Sequence, residues 1–263
     1  MESFCCFLLQ HLIEWIFPVI LVSNIIFFSA IEKAVVYLRF EYILKANIIV
    51  DESQFHNDAK IVNFARTAQF SERCGNGVDL NGGDILLNGP SFQQKPRVAV
   101  TIAAWIKLFS VEGTNSLFDT IGGVNSTHDN GQYHLEIDNG SVRWFHRNER
   151  NQIIFNVTSE VIVPSHVWTH VACTYDAKLG QADIYVNAKF ILRGDGSGEL
   201  SQDWQEKAGI GEHKGERLFD GQIDEFYMSN EALSQEEIKK LMQRCEFEKG
   251  MYDYLFEEKI NVY

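Results

Sequence analysis

The sequence predicts an all-β protein whose strands form two antiparallel sheets packed face to face. The 263-residue chain is 13% aromatic and contains 19 Gly and 4 Pro, which favours many strands joined by Gly-containing turns over a helical protein. Residues 168–175 alternate with the period of two that a pleated strand imposes. Short apolar runs of this kind recur along the chain. A sheet with so many strands must cover its apolar face, most simply with a second sheet.

The predicted strands follow one another from residue 35 to residue 228, with turn signals between them. The clearest hairpin has the turn Asn139-Gly140, because this dipeptide suits a two-residue turn between alternating flanks. Near the end, Ser234 and Glu237 have the spacing of a capping box and predict a short helix. The predicted strands are residues 35–40, 59–62, two short segments within 77–87, 98–108, the two arms of the hairpin within 132–147, 152–157, 167–175, 182–186, 208–210 and 221–228.

Length and charge limit the function classes. With 263 residues and 45% hydrophobic content, the chain can bury one large sandwich core without a second domain. The formal net charge of −13 argues against a nucleic-acid or heparin partner bound through bulk electrostatics, because such partners need a positive surface. We therefore expect no nucleic-acid partner.

The N-terminal segment differs in character from the rest of the chain. Residues 15–31 carry no charge, and their length suits a signal-peptide core but falls slightly short of the roughly 20 apolar residues that cross a bilayer as a helix. We expect a cleaved secretory signal; an uncleaved membrane anchor and a misassigned start are the open alternatives. Pro18 argues against a buried core helix. A signal or an anchor places the remainder outside the cytosol, secreted or on the extracellular face of the membrane. If the segment is uncleaved, it alone contacts the membrane.

Two segments in a fixed order carry a family resemblance. The strand at residues 168–175, WTHVACTY, precedes residues 219–238, FDGQIDEFYMSNEALSQEEI, which form the pattern of strand, turn and capped helix. This order resembles the laminin-G-like family of concanavalin A-like lectin/glucanase jelly rolls. The resemblance implies a two-sheet antiparallel jelly-roll sandwich with one short C-terminal helix, after an N-terminal hydrophobic helix. It divides the chain into a leader at 1–34, a laminin-G-like domain at 35–245 and an acidic tail at 246–263.

The resemblance also implies a calcium site. Relatives often hold one Ca²⁺ between an early Asp-x-Ser loop and a late Ile-Asp-Glu strand, and the matching positions here are Asp51, Asn57 and Asp224. Calcium prefers about six to eight oxygen ligands, which loops can bring together. The alternative is that Asp51 and Asn57 cap turns and that Asp224 or Glu225 binds backbone amides.

Three cysteines belong to the predicted domain, so at least one has no partner within it. Cys173 shares a strand face with apolar residues and is predicted to be a small buried hydrophobe. Cys74 lies in a loop, and Cys245 lies just past the predicted helix. Both are places where a bridge can tie the start of the chain to its end. We predict a Cys74–Cys245 disulfide.

Three Asn-x-Ser/Thr sequons support secretion modestly, because chance matches are common. They are at Asn125, Asn139 and Asn156. Asn139 also forms the predicted hairpin turn, where a glycan competes with turn geometry. We rank Asn125 and Asn156 above it as glycosylation sites.

One pair of carboxylates has an enzyme-like pattern. Glu136 and Asp138 project to the same face of a strand, and jelly-roll β-glucanases carry Glu-x-Asp-x-Glu on such a strand, with the outer glutamates as nucleophile and acid. Here Gly140 stands in the third place. We therefore predict no enzymatic activity. The histidines are isolated in the sequence, and no grouping indicates nucleophilic catalysis or zinc.

Arg143, Arg147 and Arg150, with His146, form the basic cluster of the sequence and are a candidate for ligand binding. Arg143 and Arg147 lie on one face of the hairpin strand with Phe145 between them. Such a row can contact an anionic glycan or the carboxylates of a protein partner. A solvated strand face without a ligand is the alternative.

These observations predict an extracellular, non-enzymatic recognition or adhesion module that binds a glycan or a protein, with calcium as a candidate cofactor. The alternative is a structural ectodomain, a spacer or assembly unit of a membrane-tethered protein without a ligand of its own. Function lies on loops that differ between relatives of one fold, so the fold does not identify the ligand.

Overall fold

The structure, a computed structural model, describes most of the chain after the predicted leader. The described residues are 30–63, 65–68, 73–120, 133–148, 150–204, 207–213 and 215–246. Residues 1–29 of the predicted leader, most of the predicted tail and the sequon at Asn125 lie outside them. The division into leader, domain and tail stays a prediction. Within the described ranges, no helix has the length and apolar character needed to cross a membrane.

Sixteen strands are formed by the described residues, and they account for the predicted all-β class. The strands are β1 Ala34–Leu44, β2 Ile48–Asp51, β3 Ala59–Val62, β4 Arg66–Ala68, β5 Gly77–Asp79, β6 Asp84–Asn88, β7 Ala99–Leu108, β8 Thr114–Asp119, β9 Tyr133–Asp138, β10 Ser141–Arg147, β11 Ile153–Ile162, β12 Thr169–Asp176, β13 Gln181–Val186, β14 Lys189–Asp195, β15 Lys207–Ile210 and β16 Gly221–Ser229. A 3₁₀ turn, Lys45–Asn47, joins β1 to β2.

A C-terminal helix, α1, spans residues 235–246, and residues 30–32 just before β1 are also helical. The start of α1 has the predicted capping box: the Ser234 backbone N–H and hydroxyl donate to the Glu237 carboxylate at 2.8 and 2.7 Å, and the Glu237 N–H donates back to Ser234 Oγ at 3.4 Å. Each residue satisfies an amide that has no partner within the helix. The sequence pattern thus located the helix start.

The strands form one continuous hydrogen-bonded order, which bends back on itself to give two antiparallel sheets. The order is β11-β10-β9-β8-β15-β6-β3-β2-β1-β16-β7-β12-β13-β14, with β5 joining β16 and β4 joining β5. The long β1 makes the fold-over, because its first half pairs with β16 and its second half with β2. Sheet 1 contains β2, β3, β6, β8, β9, β10, β11 and β15, and sheet 2 contains β7, β12, β13, β14 and β16. This is the predicted two-sheet, jelly-roll-like sandwich.

The core lies between the two sheets and is rich in aromatic residues. Trp144 and Tyr133 enter it from sheet 1, and Tyr175 and Phe226 enter it from sheet 2, all fully buried. The Trp144 indole N–H donates to the Thr174 carbonyl at 3.1 Å, which satisfies its polar atom across the core. At the far edge, Gly194 approaches β11 so closely that an added Cβ would lie 2.3 Å from a Val157 methyl. The layers therefore nearly meet at that edge.

The predicted hairpin forms as expected, whereas the strands in residues 77–88 pair in an unforeseen way. β9 and β10 pair directly, from Asp138 opposite Ser141, and the turn residues Asn139 and Gly140 have positive φ values of 48° and 82°. A two-residue turn of this hand requires such values. β5 and β6 are both present, but β5 pairs with β16 and β6 pairs with β3 and β15. Their turn therefore connects the two sheets.

Helix α1 covers the outer face of sheet 2. Ile238 and Leu241 of the helix pack onto outward side chains of the sheet. We call this surface the covered face; its sheet residues include Tyr37, Ala103, Ala172, Tyr185 and Tyr227. Small and aromatic outward residues give the helix an apolar surface to lie on.

Candidate functional site

The outer face of sheet 1 carries a cluster of charged side chains instead of a helix. Register brings them together, because Asp119 of β8 lies opposite His134 of β9, and Glu136 of β9 lies opposite Arg143 of β10. The segment after β15 adds His213 and Arg217 to this cluster. We call this surface the charged face; its residues are Asp119, His134, Glu136, Arg143, Phe145, Arg147, His213 and Arg217.

Glu136 is the central anion of the charged face. Its Oε1 accepts from Arg143 Nη1 at 2.7 Å and its Oε2 from Arg217 Nη1 at 2.9 Å, while His134 Nδ1 lies 3.6 Å from Oε2. The side chain is 2% exposed. Burial favours a raised pKa, but contacts with His134 and Arg143 and the charge of Arg217 outweigh it and lower the pKa of Glu136 to about 2. Glu136 is therefore a permanent carboxylate that holds two guanidinium groups in place.

Asp119 is the second carboxylate, and two imidazoles surround it. His213 Nδ1 lies 2.9 Å and His134 Nδ1 3.3 Å from Asp119 Oδ2, and the two ring centroids are 4.5 Å apart. All three side chains are largely buried. The prediction of isolated histidines is wrong for His134 and His213. They come from distant segments, so no sequence spacing could have shown the grouping.

The predicted basic row has the expected geometry. The guanidinium carbons of Arg143 and Arg147 lie 5.0 and 5.4 Å from the Phe145 ring centroid, within cation–π range. Arg143 Nε also donates to Asn156 Oδ1 at 3.2 Å, and Arg147 Nη1 donates to Asn151 Oδ1 at 2.8 Å. Both arginines are half-buried and orient their charges on the charged face. Ligand binding by these residues stays a prediction.

The early loop residues predicted to bind calcium are held by hydrogen bonds. Asp51 is fully buried; its Oδ1 accepts from the Tyr37 and Ser53 amides at 2.7 and 2.9 Å, and its Oδ2 from the Ser53 hydroxyl at 2.6 Å and the Asn57 amide at 2.7 Å. The pKa of Asp51 is raised, because the effect of burial outweighs the lowering effect of these hydrogen bonds. Asn57 Oδ1 accepts from the Gln93 backbone N–H at 2.7 Å. These contacts match the turn-capping alternative.

The third predicted calcium residue, Asp224, also binds backbone amides. It accepts from the Cys74 amide at 3.1 Å and the Glu225 amide at 2.8 Å. Glu225 binds the Tyr37 hydroxyl and, at 3.0 Å, Arg39 Nε. Calcium at Asp51, Asn57 and Asp224 stays a prediction, and a melting temperature unchanged by chelation would count against it.

The predicted Cys74–Cys245 disulfide is present, with a sequence separation of 171 residues. It fastens the C-terminal end of α1 to the loop before β5. Cys173 is a buried free thiol, as predicted, and burial raises its pKa well above the usual value.

The two described sequons differ in their surroundings. Asn139 sits in the hairpin turn, where its side chain binds the Gly113 amide at 3.1 Å and Asp138 Oδ1 at 3.0 Å. Asn156 is exposed and lies beside Arg143, so a glycan there would stand next to the basic row. Glycosylation of either residue stays a prediction.

Solved structures similar to this chain share its fold at low sequence identity. Domain 4 of an extracellular arabinanase from Geobacillus stearothermophilus, in complex with arabinotriose, has a TM-score of 0.62 at 18% identity, covering 80% of this chain and 98% of the domain. The binding domain of Paraclostridial Mosquitocidal Protein 1 has a TM-score of 0.62 at 14% identity, covering 82% of this chain and 53% of that one.

A botulinum neurotoxin serotype D ligand-binding domain, in complex with N-acetylneuraminic acid, has a TM-score of 0.57 at 15% identity and covers 83% of this chain. The chain spans about half the length of the two toxin domains, 53% and 52%. Such likeness shows a common sandwich fold.

A family comparison is more specific than the structural likeness. A search of curated proteins found no match. The family model described as the concanavalin A-like lectin/glucanases superfamily, a laminin G family, matches residues 80–239. This range runs from the end of β5 through β16 into α1, and it includes the whole charged face. The chain therefore belongs to the concanavalin A-like lectin/glucanase superfamily.

Proposed function

We propose that this protein is a non-enzymatic extracellular recognition module that binds an acidic glycan on its charged face. The observation that carries the proposal is the row of Arg143 and Arg147 on either side of the Phe145 ring. A guanidinium group presents a planar fork of donors that matches a carboxylate or sulfate group. Fixing it on a rigid strand lowers the entropy lost on binding.

Local charge supports an anionic ligand. The chain as a whole carries a net charge of −13, yet on the charged face three arginines stand over two buried carboxylates. The Glu136 and Asp119 side chains lie at the bottom and are 2% and 3% exposed, whereas the Arg143 and Arg217 side chains are 28% and 37% exposed. The solvent-facing part is therefore positive. An anionic group can approach the guanidinium groups while the buried acids keep them oriented.

The similar structures support a sugar as the ligand class. One was solved with arabinotriose and another with N-acetylneuraminic acid, a sugar that bears a carboxylate. Both complexes are properties of those proteins. Combined with the arginines here, they make a carboxylated or sulfated glycan the first ligand to test.

The ion pairs of Glu136 support a binding role over a hydrolytic one. Retaining and inverting glycosidases need two carboxyl groups, one acting as a proton donor. Both oxygens of Glu136 accept from arginines, and Gly140 occupies the place of the second acid. Purified protein that hydrolyses β-glucans and loses this activity on Glu136→Gln substitution would refute the non-enzymatic assignment.

The disulfide supports an extracellular location. Disulfides persist in oxidising compartments and are rare in the cytosol. Cys74–Cys245 closes a long loop in the folded part of the chain. The uncharged segment at residues 15–31 is the predicted route of export.

The test is a glycan array with neutral, sialylated, uronic-acid and sulfated glycans. The wild-type chain is compared with Arg143→Ala and Arg147→Ala. Loss of one charge-assisted contact, worth about 1.5–3 kcal/mol, should weaken acidic hits roughly tenfold or more. The matched control is Arg193→Ala, because Arg193 also lies over a phenylalanine, Phe190 at 5.7 Å, but on sheet 2.

Two outcomes would overturn the proposal. A blank array from folded protein supports the structural ectodomain, and equal losses in Arg193→Ala and Arg143→Ala show that the charged face is not the site. Protein with Asn156→Gln is run in parallel, since a glycan at Asn156 would stand beside Arg143 and block the row. Repeating the array with a calcium chelator tests whether binding depends on calcium.

A further inference from the structure

Asp119, His134 and His213 form a compact group of metal-ligating atoms. One ligand atom from each side chain lies within 4.8 Å of the others. The scaffold fixes them from three directions: Asp119 and His134 are opposite each other on β8 and β9, and Gly209 of β15 is also paired with Asp119. His213 follows β15 and is tied to Glu216 by backbone bonds of 2.9 and 2.8 Å.

The spacing suits ligands that share one cation. Tetrahedral zinc with ligand bonds of about 2.0–2.1 Å places neighbouring ligand atoms roughly 3.3 Å apart. The two distances from Asp119 Oδ2 are 2.9 Å to His213 Nδ1 and 3.3 Å to His134 Nδ1. Both distances therefore lie close to the separation that a shared tetrahedral ion imposes.

Burial of the three ligands and the negative charge of Asp119 favour a cation there. The Asp119, His134 and His213 side chains are 3%, 4% and 11% exposed, so folding has already removed most of their water. Glu136 adds a second carboxylate, with Oε2 3.6 Å from His134 Nδ1. Its bond to Arg217 fixes its position, as outer partners do around protein metal sites.

We propose that Asp119, His134 and His213 bind a divalent transition-metal ion, with Zn²⁺ as the best-fitting probe. Two imidazoles and one carboxylate suit zinc and its neighbours in the transition series. Calcium prefers about six to eight oxygens and does not fit two nitrogen ligands. The site is thus separate from the predicted calcium residues. Three protein ligands leave a fourth position for water or for an oxygen of a bound molecule.

The competing explanation is a hydrogen-bond network. At the same distances, Asp119 can accept hydrogen bonds from the N–H groups of two imidazoles and hold the loop after β15 against the sheet. Only a metal site predicts stoichiometric metal binding. This binding is measured in the absence of any glycan, so that it is independent of the proposed function. A negative result there leaves the glycan proposal standing, and a blank glycan array leaves the metal site standing.

The experiment is calorimetric titration of the chelator-treated full chain with Zn²⁺, followed by Co²⁺ as a visible-absorption probe of coordination. We expect one Zn²⁺ per chain and a Co²⁺ spectrum of four-coordinate geometry. His213→Ala should weaken Zn²⁺ binding at least tenfold, by analogy with losses of about 10–100-fold from outer-shell changes. His56→Gln, which removes an exposed histidine elsewhere, is the matched control and should bind normally.

Folding is checked by circular dichroism, and Asp119→Asn provides a second variant that keeps side-chain size. Absence of stoichiometric Zn²⁺ binding by the wild type overturns the proposal. Binding that survives in both folded variants also overturns it. Equal competition by Ca²⁺ would contradict the nitrogen-ligand assignment.

Discussion

The outer faces of the two sheets differ in what lies on them. On sheet 2, outward residues such as Ala103, Ala172 and Tyr227 are small or aromatic, and α1 packs over them. On sheet 1, outward residues such as Glu136 and Arg143 carry charge, and they pair with one another and with Arg217. Both surfaces belong to strands whose inner faces contribute to one apolar core.

This difference separates a structural surface from a candidate binding surface. Burial of apolar area under α1 contributes directly to stability, at roughly 25 cal/mol per Å². Partly solvated ion pairs contribute little net stability, so their positions are better explained by what they can bind. Changes on the covered face should therefore affect unfolding, and changes on the charged face should affect ligands.

The largest expected effect comes from breaking the disulfide that fastens the C-terminal end of α1 to the loop before β5. Replacing Cys74 by Ala and Cys245 by Ser should lower the free energy of unfolding by about 2–5 kcal/mol, because the bridge constrains a long loop of the unfolded chain. We also expect faster amide exchange in α1 than in the sheets. Urea unfolding and hydrogen exchange measure the two effects.

Reduced wild-type protein is the control for the double variant and should unfold at the same urea concentration. A loss below about 1 kcal/mol, or unchanged exchange in α1, would show that packing alone secures the helix. Glycan and Zn²⁺ binding by the folded variant should be unaffected, since the charged face lies on the other sheet.

A second test uses pH to probe the buried imidazole of His170 on the covered side of sheet 2. His170 lies on the covered side of β12 beside Trp105, with ring centroids 5.3 Å apart, and the Arg73 guanidinium lies 3.7 Å from the Trp105 centroid. Burial, aided by the charge of Arg73, lowers the pKa of His170 to about 3. The unfolded chain therefore binds a proton below about pH 6.5 that the folded chain does not.

The stability that comes from keeping His170 neutral and buried is fully present above about pH 6.5. It is lost as the pH falls toward 3. Between pH 7 and pH 5 the loss should be about 2 kcal/mol. His170→Phe, which keeps a ring against Trp105, should remove that part of the pH dependence. Urea unfolding of both proteins at pH 7 and pH 5 measures it, and parallel losses in the two proteins would contradict a neutral buried His170.

Local sequence signals predicted much of the fold. The Asn139-Gly140 turn and the Ser234–Glu237 box are each decided by neighbouring residues, and both were found. The Cys74–Cys245 bridge followed from loop positions. Pairing was less predictable, because partners such as β5 and β16 are far apart in the chain. β8, with the polar start Thr114-Asn115-Ser116, gave too weak an alternation to be predicted as a strand.

Part of the candidate site was also predictable, because that part depends on residues close together in the sequence. Arg143, Phe145 and Arg147 lie on one strand, so their common face followed from a period of two. His213 and Arg217 reach the charged face only because β15 inserts beside β8, a contact between distant segments. The sequence singled out Glu136 only as part of an enzyme-like pair with Asp138. Its ion pairs with Arg143 and Arg217 were not predicted.

The smallest expected effect on stability compares one arginine from each face. Arg39 pairs with Glu225 at 3.0 Å and is 17% exposed, whereas Arg217 pairs with Glu136 at 2.9 Å and is 37% exposed. Arg39→Ala leaves the buried Glu225 carboxylate with fewer partners and should cost about 2 kcal/mol, because it loses a hydrogen-bond donor that solvent does not fully replace. Arg217→Ala should cost about 1 kcal/mol or less, because solvent reaches its position and Arg143 still holds Glu136.

Ligand binding should rank these two variants in the opposite order. Arg217→Ala should weaken acidic-glycan binding, since it removes one of three cations from the charged face, and Arg39→Ala should leave that binding unchanged. Urea unfolding and titration with an array-positive glycan give both rankings. If Arg217→Ala destabilises the fold more than Arg39→Ala and leaves binding intact, the charged face is structural, and the contrast between the two faces is wrong.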